Sequence, residues 1–448
     1  MLVRVVRCAR LRHPCPRCGK LGRRKRPLYR RIRSLAYRQV AYLDVYYAEY
    51  QARCSCCRYF RSWPLAVPAK ADYDERVRAA VLDRILADGL NVQRTLAAMA
   101  RDFLLPLSEG FVYDCLRWQV AQLDLAAHRS GVLAQFSGTL CLDELHLGRF
   151  TLLLATDPLA DLPVACALVS RNDEAHMRRF LSHLKSWGLL PRVVVTDGSS
   201  LYPALLAALW PRARHQLCVF HLLRDLNDGL VQAVRRLARA LARRGRAGRK
   251  RRRGRPSKAR QAARSAAGPT LQEQARFVLK HRFLVVKKTG ALDRPQWDRL
   301  LQMFAYLPAV RTVWRFACEV RRLFEKEARV QTLWKRRAAL LRQEEYQAVP
   351  ELVAAMKLLE AGKFRKAVAF AGSAAAERVR TNNHVERANR RIRFTEKLRY
   401  KWRRRKWVVR FVLLALDRWW RQGAWAEAPA EQRRSGGQGP PGPASKPA

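Results

Sequence analysis

Residues 139–147 read Thr139-Leu140-Cys141-Leu142-Asp143-Glu144-Leu145-His146-Leu147, and this stretch decides the fold. It is an apolar run of strand length that two acidic residues interrupt, and Gly148-Arg149 supplies a turn directly after it. Two further apolar runs follow at residues 150–156 and 164–169, separated by a turn that contains Asp and Pro. The sequence therefore predicts three consecutive β-strands.

Downstream of these strands, helices and strands alternate. Residues 172–187 have the spacing of an amphipathic helix, with Leu181 and Leu184 on its apolar side. The next segments predict a buried strand at 193–196, a helix at 201–210 and a fifth, short strand at 216–220. The predicted order is β-β-β-α-β-α-β, which resembles the RNase H-like fold, a mixed α/β sheet.

Three carboxylates stand at notable places in this pattern. Asp143 lies within the first strand, Asp197 directly follows the strand at 193–196, and Glu386 lies in a strongly basic segment. Carboxylates beside DNA-binding charge would only repel phosphates unless they hold divalent metal ions. The three acidic residues therefore predict a metal-dependent site.

Charge is distributed unevenly along the chain. The formal net charge is +53, which predicts a polyanionic partner. Residues 138–220 carry eight Arg or Lys against seven Asp or Glu, whereas residues 380–410 carry thirteen against two. A GC-rich genome would raise the total arginine content, but it does not explain this contrast between a near-neutral chemical centre and basic surroundings.

Two blocks resemble those of the DDE/D transposases of bacterial insertion sequences. The first runs from Asp197-Gly198-Ser199-Ser200-Leu201-Tyr202 to Cys218-Val219-Phe220-His221, and the second is Asn382-Asn383-His384-Val385-Glu386-Arg387-Ala388-Asn389 with Ile392-Arg393. The resemblance covers the chain from its start to about Arg421. It implies an RNase H-like core in which the first carboxylate is on the first strand, the second ends the fourth strand, and the third lies on a later helix.

The resemblance also implies the chemistry of the site. Asp143, Asp197 and Glu386 would be the catalytic residues and would hold two Mg²⁺ (or Mn²⁺) ions, with Asp143 between them. Such ions activate a nucleophilic hydroxyl and stabilise the leaving oxygen in phosphoryl transfer. Cys218 and His221 would support the site.

Each carboxylate also has an ordinary structural interpretation. Glu144 could point inward in place of Asp143, because neighbours on a strand face opposite ways. Asp197-Gly198 is a common turn signal, and Asn383 with Glu386 could form a helix capping box. All three residues at family-matching positions favour catalysis.

The amino-terminal cysteines predict structural zinc. Cys15 and Cys18 form one C-x-x-C pair, and Cys54 and Cys57 form another, in which Cys56 could replace Cys57. Ordinary buried cysteines are the alternative. Eleven cysteines and no apparent secretory signal or membrane-length apolar run predict a reducing, cytoplasmic and nucleoid-associated location without membrane contact.

Residues 72–128 predict short helices, with the last one at 111–125. They suit either a helix-turn-helix module or a plain helical linker, because the candidate recognition helix at 110–120 has only Arg117 as a cation.

The segment between Asp197 and Glu386 is long enough for a basic helical insertion. Within it, Arg252-Arg253-Gly254-Arg255-Pro256 resembles an AT-hook core, with a solvated phosphate-binding loop as the alternative. The aromatic residues of its second half are predicted to pack in its core; they are Trp297, Phe304, Trp314, Phe316 and Trp334. The residues predicted to contact DNA are Arg253, Arg255, Arg387, Arg390, Arg391, Arg393, Lys397, Arg403, Arg404 and Arg405.

The sequence thus predicts a transposase that binds double-stranded DNA, namely element ends and target, as a homo-oligomer, most simply a dimer. The alternatives are a nuclease or resolvase of the same fold that does not join strands, and a non-catalytic DNA-binding regulator. The predicted parts are a zinc-ribbon-like domain (1–66), a helix-turn-helix-like domain (72–128), the first part of the catalytic core (138–226), the insertion (227–375), the carboxyl-terminal part of the core (376–421) and a disordered tail (422–448).

Overall fold

The computed structural model describes residues 1–64, 71–245, 268–398 and 404–422. Its first part is a five-stranded sheet with the order β1-β4-β3-β2, in which β5 pairs with β4. The strands are β1 (Leu2–Arg7), β2 (Arg12–Pro14), β3 (Leu21–Ala36), β4 (Gln39–Gln51) and β5 (Tyr59–Arg61). The cysteine pairs lie in the β2–β3 and β4–β5 connections, so strands rather than a helix fill the space between them.

Four helices follow, and each begins at a side-chain cap. They are α1 (Glu75–Leu86), α2 (Val92–Phe103), α3 (Glu109–Ala121) and α4 (Leu125–Gln135). The prediction of a last helix at 111–125 was wrong at its end, because Asp124 accepts a hydrogen bond from the backbone of Ala127 at 2.8 Å and starts α4. The predicted domain limit at 128 consequently falls inside α4.

The second sheet carries the acidic residues. It contains β6 (Thr139–Leu147), β7 (Phe150–Asp157), β8 (Leu162–Val169), β9 (Val193–Thr196) and β10 (Arg214–Leu217), with α5 (Glu174–Ser186) and α6 (Tyr202–Leu209) between strands. The strand order is β10-β9-β6-β7-β8. Strands β6, β7 and β8 pair antiparallel, whereas β9 and β10 join in parallel, so this sheet is mixed.

The fifth strand differs from the prediction. It spans Arg214–Leu217 instead of 216–220, and Val219 already belongs to the long helix α7 (Val219–Arg244). The backbone N–H of Leu222 donates to the carbonyl of Cys218 at 3.2 Å, because the apolar residues after Cys218 have helical spacing through residue 241.

Helix α7 begins a helical region with its own core. The helices after it are α8 (Leu271–His281), α9 (Arg294–Tyr306), α10 (Ala309–Arg322), α11 (Val330–Leu341), α12 (Glu344–Gln347), α13 (Pro350–Lys357) and α14 (Ala361–Ala367). The five aromatic residues predicted as core all pack here, with Phe316 fully buried. The predicted limit at 226 lies inside α7, so the insertion grows directly out of the sheet.

Two final helices cover one face of the second sheet. They are α15 (Asn383–Leu398) and α16 (Arg405–Gln422). Val385, Ala388 and Phe411 are buried against Cys141 and Leu145 of β6. A fully buried Val or Phe side chain contributes about 1.5–3 kcal/mol, so this layer fixes α15 firmly on the sheet.

Helices α5 and α6 cover the opposite face, where Leu181 and Leu205 pack on Leu140, Leu142 and their neighbours. Within the part of the chain that the structure describes, no helix is long and apolar enough to cross a membrane.

Candidate active site and metal centres

Strand register brings two of the predicted carboxylates side by side. Cys141 of β6 pairs with Val195 of β9 in a parallel arrangement, and Asp143 and Asp197 each lie two residues further along, Asp197 just past the end of β9. Neighbouring strands lie about 4.8 Å apart, and paired residues of parallel strands point to the same face. Both acidic residues therefore follow apolar residues that face α15 and α16.

Helix α15 brings the third carboxylate to this face. Glu386 is in its first turn, and Asn389, three residues later on the same side of the helix, donates its amide Nδ2 to Asp143 Oδ2 at 2.8 Å. Asn383 is already the first residue of the helix, and the helical hydrogen bond of Glu386 runs to the carbonyl of Asn382. The capping-box interpretation, in which Asn383 precedes the helix, is therefore wrong.

The charges of the other two acidic residues influence the pKa of Asp143. The pKa of Asp143 is raised to about 6, chiefly by burial and to a smaller extent by the charges of Glu386 and Asp197, while the hydrogen bond from Asn389 lowers it. Within the described residues, however, the oxygens of the three carboxylates do not all lie within 4.8 Å of one another. The site is acidic but open.

Glu144 faces the other side of the sheet. Its Oε1 accepts a hydrogen bond from the hydroxyl of Tyr202 in α6 at 2.7 Å, and burial raises the pKa of Glu144 to about 7. The side chains of these neighbouring residues of β6 thus lie on opposite faces of the sheet, Asp143 beside α15 and Glu144 beside α6. The alternation also explains why the sequence alone left both options open.

Asp197 makes a turn as well as facing the site. Its Oδ1 accepts a hydrogen bond from the backbone N–H of Ser199 at 2.9 Å, the pattern of an Asx turn. This turn ends β9 and fixes the direction of the carboxylate. The turn interpretation and the site interpretation are therefore compatible.

Cys218 and His221 lie against the third carboxylate. The Sγ of Cys218 accepts a hydrogen bond from the backbone of Asn382 at 3.5 Å, and His221 Nδ1 lies 3.6 Å from Glu386 Oε1. One ligand atom from each of Cys218, His221 and Glu386 lies within 4.8 Å of the others. The C-x-x-H segment thereby links the start of α7 to the start of α15.

Several buried polar atoms around this point have no hydrogen-bond partner among the residues that the structure describes. They are Glu386 Oε1, His221 Nδ1, Asn389 Oδ1 and both polar side-chain atoms of Asn382. A buried polar group without a partner costs about 1–3 kcal/mol. Such a concentration beside three carboxylates fits a place where a divalent cation with its waters and a substrate phosphate would complete the contacts.

Sequence reasoning missed the residues that orient Asp143 and that anchor the helix carrying Glu386. Asn389 holds Asp143, and His384 anchors the helix by pairing with Thr156 Oγ1 at 2.9 Å and with Asp161 Oδ1 at 2.7 Å. Both residues are in the block that carried the family resemblance, so their position in that block was the available signal.

The predicted DNA contacts fall into two groups. Arg387, Arg390, Arg391, Arg393 and Arg404 are exposed, four of them on α15 beside the acidic site. Arg405 donates to the carbonyl of Leu168 at 2.9 Å and so also holds the end of β8. Arg253, Arg255 and Arg403, the side chain of Lys397 and residues 423–448 lie outside the described part.

Five cysteine sulfurs converge between the turns of the first sheet. Cys15 Sγ lies 3.4 Å from Cys57, 3.6 Å from Cys56 and 3.7 Å from Cys54, and Cys18 lies 3.3 Å from Cys56. The group whose sulfurs all lie within 4.8 Å contains Cys56 in place of Cys18. Backbone N–H of Arg17 lowers the pKa of Cys15 to about 6, so this thiol readily becomes a thiolate.

Comparison with known proteins identifies the family. The model of an ISL3-type DDE family, described as transposase, matches residues 140–406, which is more than half of the chain. No curated protein matches the chain significantly. The matched residues contain all three carboxylates together with Cys218, His221 and the helical region. The chain belongs to the DDE transposases of insertion sequences, a family of enzymes that cut and transfer DNA.

Proposed function

We propose that this transposase binds the terminal inverted repeats of its element, cuts the DNA there and joins it to a target, with Asp143, Asp197 and Glu386 as the catalytic triad. The observation that carries the proposal is the mutual influence of the three carboxylates at Asp143, which Asn389 holds toward α15. A nuclease or resolvase and a non-catalytic regulator would bind the same DNA. The first would cut it without joining it, and the second would do neither.

The core is proposed to be RNase H-like. Support comes from the order β-β-β-α-β-α-β over residues 139–217, and from the positions of the acidic residues: Asp143 is on β6, Asp197 directly follows the neighbouring parallel strand β9, and Glu386 is on a later helix. This arrangement presents all three carboxylates from rigid elements, which keeps their geometry fixed.

The three carboxylates would hold two Mg²⁺ or Mn²⁺ ions. Bound metal ions would activate water, and later a DNA 3′-hydroxyl, as the nucleophile. They would also neutralise the charge on the leaving oxygen. The chain's own residues do the positioning: Asn389 orients Asp143, the Ser199 turn orients Asp197, and His221 faces Glu386.

Phosphate binding is assigned to the exposed arginines of α15. Arg387 and Arg390 stand on the same helix as Glu386, so they can hold the DNA backbone while the carboxylates face the reacting phosphate. Their contribution would be salt-dependent and largely independent of sequence.

Zinc is proposed at the amino-terminal cysteines. Four sulfurs about 2.3 Å from a tetrahedral zinc ion are about 3.8 Å from each other. Cys15, Cys54 and Cys57 have mutual Sγ distances of 3.4, 3.7 and 4.0 Å, which fit, whereas Cys54 and Cys56 are only 2.9 Å apart. The C-x-x-C spacing assigns the fourth ligand to Cys18, the partner of Cys15, and Cys56 is the spare thiol; because Cys18 lies outside the group of Cys15, Cys54, Cys56 and Cys57, its sulfur would have to move toward the metal.

Recognition of element ends is assigned mainly to the first sheet, where the exposed side chains of Arg23, Arg24 and Lys25 follow one another on β3. The helix-turn-helix role of α1–α3 remains part of the proposal but has less support. Arg117 is paired with Asp114 at 2.5 Å, and Tyr113 of α3 packs on Trp407 of α16. A homodimer and association with the nucleoid follow from the need to hold two DNA ends.

The test is cleavage and joining of DNA that carries the flanking ends of this gene's own element, with the full chain and Mg²⁺. We expect cut ends and joined products from the wild type and neither from Asp197→Asn, although both proteins bind the DNA. Cutting without joining would support the nuclease alternative, and binding without cutting by the wild type would support the regulator.

A further inference from the structure

We infer that the outer face of the first sheet is a platform on which a stretch of single-stranded DNA stacks its bases. The inference goes beyond the proposed function, which assigns only duplex element ends to this sheet. The face is formed where β1, β4 and β3 lie side by side, and it consists of three cross-strand rows. Its residues are, row by row, Arg7, Tyr46 and Tyr29; Val5, Asp44 and Arg31; and Val3, Tyr42 and Arg33.

The register of the sheet separates this outer face from an inner one. Residues that pair across neighbouring strands point to the same side, and successive residues of one strand alternate between the two sides. On the inner side, Ile32 and Val45 are fully buried and pack with Trp63. On the outer side, Tyr29 and Tyr46 are 50% and 42% exposed. The inner face therefore closes the core of this part of the chain, and the outer face is open to a partner.

The outer face exposes apolar and aromatic surface on all three strands. Val3 and Val5 of β1 are 37% and 53% exposed, and the rings of Tyr29 and Tyr46 stand on β3 and β4. The centroids of these two rings are 5.1 Å apart, so the rings form one aromatic surface across two strands. A sheet with one face in water normally carries polar residues there, and an exposed apolar cluster instead indicates a binding surface.

An ion pair in the middle of the face holds the aromatic rings in place. The hydroxyl of Tyr29 donates to Asp44 Oδ1 at 3.0 Å, and Arg31 donates to both oxygens of this carboxylate at 2.7 and 2.8 Å. The Arg31 guanidinium also lies 5.2 Å from the centroid of the Tyr42 ring. A bidentate pair of this kind fixes side-chain orientation. The surface is therefore arranged before a ligand binds, which reduces the entropic cost of binding.

The charge of the face selects an anionic partner. The face has three arginines and one acidic residue, Asp44, so three positive charges against one negative give +2. Because Arg31 is paired with Asp44, this balance resides at the exposed side chains of Arg7 and Arg33, which stand at diagonal corners of the face. A second copy of the chain would bring like charges together here, whereas the phosphates of a nucleic acid would be attracted.

Shape selects a single strand rather than a duplex. The major groove of B-form DNA is about 12 Å wide and admits a two-stranded ribbon, whereas this face has three strands spaced about 4.8 Å apart and side chains beyond them. A duplex also hides the faces of its bases, which a single strand offers to exposed aromatic rings beside cations. The strand is assigned as DNA because the family cuts and transfers DNA.

The first test measures affinity for a single strand. Full-length protein is titrated with a labelled oligothymidine and with duplex DNA of the same length, at several salt concentrations. We expect Tyr46→Ser to weaken single-strand binding by about tenfold, the scale of one stacked base, while Tyr46→Phe keeps the ring and the affinity. Duplex binding should be unchanged in both variants. Tyr37→Ser is the matched control, because Tyr37 is 65% exposed but lies in the turn between β3 and β4, outside the face.

The salt dependence separates stacking from charge. Arg7→Gln should lower the slope of log affinity against log salt by about 0.7, the contribution of one phosphate of a single strand. Tyr46→Ser should leave this slope unchanged, because a neutral ring releases no counterions. Circular dichroism of each variant checks that the first sheet is folded, and Tyr46→Phe repeats the test with the smallest change in packing.

Four results would overturn the inference. They are equal losses on single-stranded and duplex DNA, an equal loss in Tyr37→Ser, tighter binding of RNA of the matching sequence, and conversion of a wild-type dimer into monomers by Tyr46→Ser. The last result, measured by light scattering, would make the face a contact between copies.

The inference and the proposed function can fail separately. Asp197→Asn should bind the single strand as the wild type does, because the platform does not use the carboxylates. Wild-type protein that cuts element ends without binding a single strand on this face would overturn the inference alone. Protein that binds the single strand through Tyr46 but never cuts would overturn the proposed function and leave the platform in place.

Discussion

The cysteine cluster and the carboxylate site both gather electron-rich side chains, but they do so to different degrees. The sulfurs of Cys15, Cys54 and Cys57 approach to 3.4–4.0 Å, whereas the carboxylates of Asp143, Asp197 and Glu386 do not form so tight a group. Neutral thiols can crowd together by sharing protons, but ionised carboxylates repel one another. The difference agrees with our proposal that the first is a closed structural site and the second an open site that cations and substrate would complete.

The supports of the two sites differ in the same way. The cysteines stand on short connections next to a small core of four buried residues, including Tyr50 and Phe60. The carboxylates stand on a sheet that is covered on both faces, where every residue of β7 is buried. We therefore expect the proposed zinc ion to contribute to the folding of the first sheet, whereas the second sheet has a core that does not depend on a metal.

The largest expected effect is the loss of zinc. Cys15→Ser should remove the metal and unfold the first sheet while the second sheet stays folded, because structural zinc supplies about 10–16 kcal/mol in zinc-finger peptides. Zinc content by mass spectrometry and limited proteolysis of residues 1–64 would check this result.

Control variants sharpen the test of the cysteine cluster. Cys8→Ser and Cys56→Ser should keep one zinc per chain, and Cys18→Ser should lose it. Full zinc content in Cys15→Ser would refute the metal site. Loss of zinc in Cys56→Ser, with zinc retained in Cys18→Ser, would show that Cys56 and not Cys18 is the fourth ligand.

The second effect concerns stability without metal. Asp143→Asn should raise the free energy of unfolding of the metal-free protein by about 1–3 kcal/mol at pH 8, since the folded state raises the pKa of Asp143 from 3.8 to about 6. The sign follows from the charged form, which the folded state disfavours. The cost of this charge is complete above about pH 6 and disappears below about pH 4, where the carboxyl group is protonated in both states.

Urea denaturation in chelator, at pH 8 and at pH 4, measures this difference. The gain should be present at the higher pH and absent at the lower one. A destabilised Asp143→Asn protein at pH 8 would mean that the folded state does not disfavour the charged form of Asp143, contrary to the burial that raises its pKa.

The smallest effect is expected at His221. His221→Ala should slow DNA cleavage by about tenfold and raise the metal concentration needed for half-maximal rate, because partners of metal ligands typically contribute ten- to a hundredfold. His281→Ala, in the helical region away from the site, is the control. An unchanged metal requirement would restrict His221 to a packing role.

Sequence patterns predicted the second sheet well, and physical reasons explain where they failed. The apolar runs around Asp143 and Asp197 have the spacing and turns of strands, and they were found within a few residues of their observed limits. The segment after Cys218 failed because a short apolar run suits either a strand or the first turns of a helix.

The support of the site could not be read from local patterns. Asn389 holds Asp143 across 246 positions of sequence, and His384 meets Thr156 across 228. Such contacts depend on how α15 packs on the sheet. The choice between Cys18 and Cys56 likewise depends on distances that spacing alone does not give.

The measurement that tests the central claim most directly compares two neighbouring residues of β6 in the Mg²⁺-dependent cleavage assay. Asp143→Asn should reduce cleavage by at least about a thousandfold, the scale of a lost catalytic ligand, while DNA binding persists. Glu144→Gln, which faces Tyr202 and can still accept its hydrogen bond, should retain most of the activity. Full activity of Asp143→Asn, or loss of activity only with Glu144→Gln, would contradict the assignment of the catalytic face.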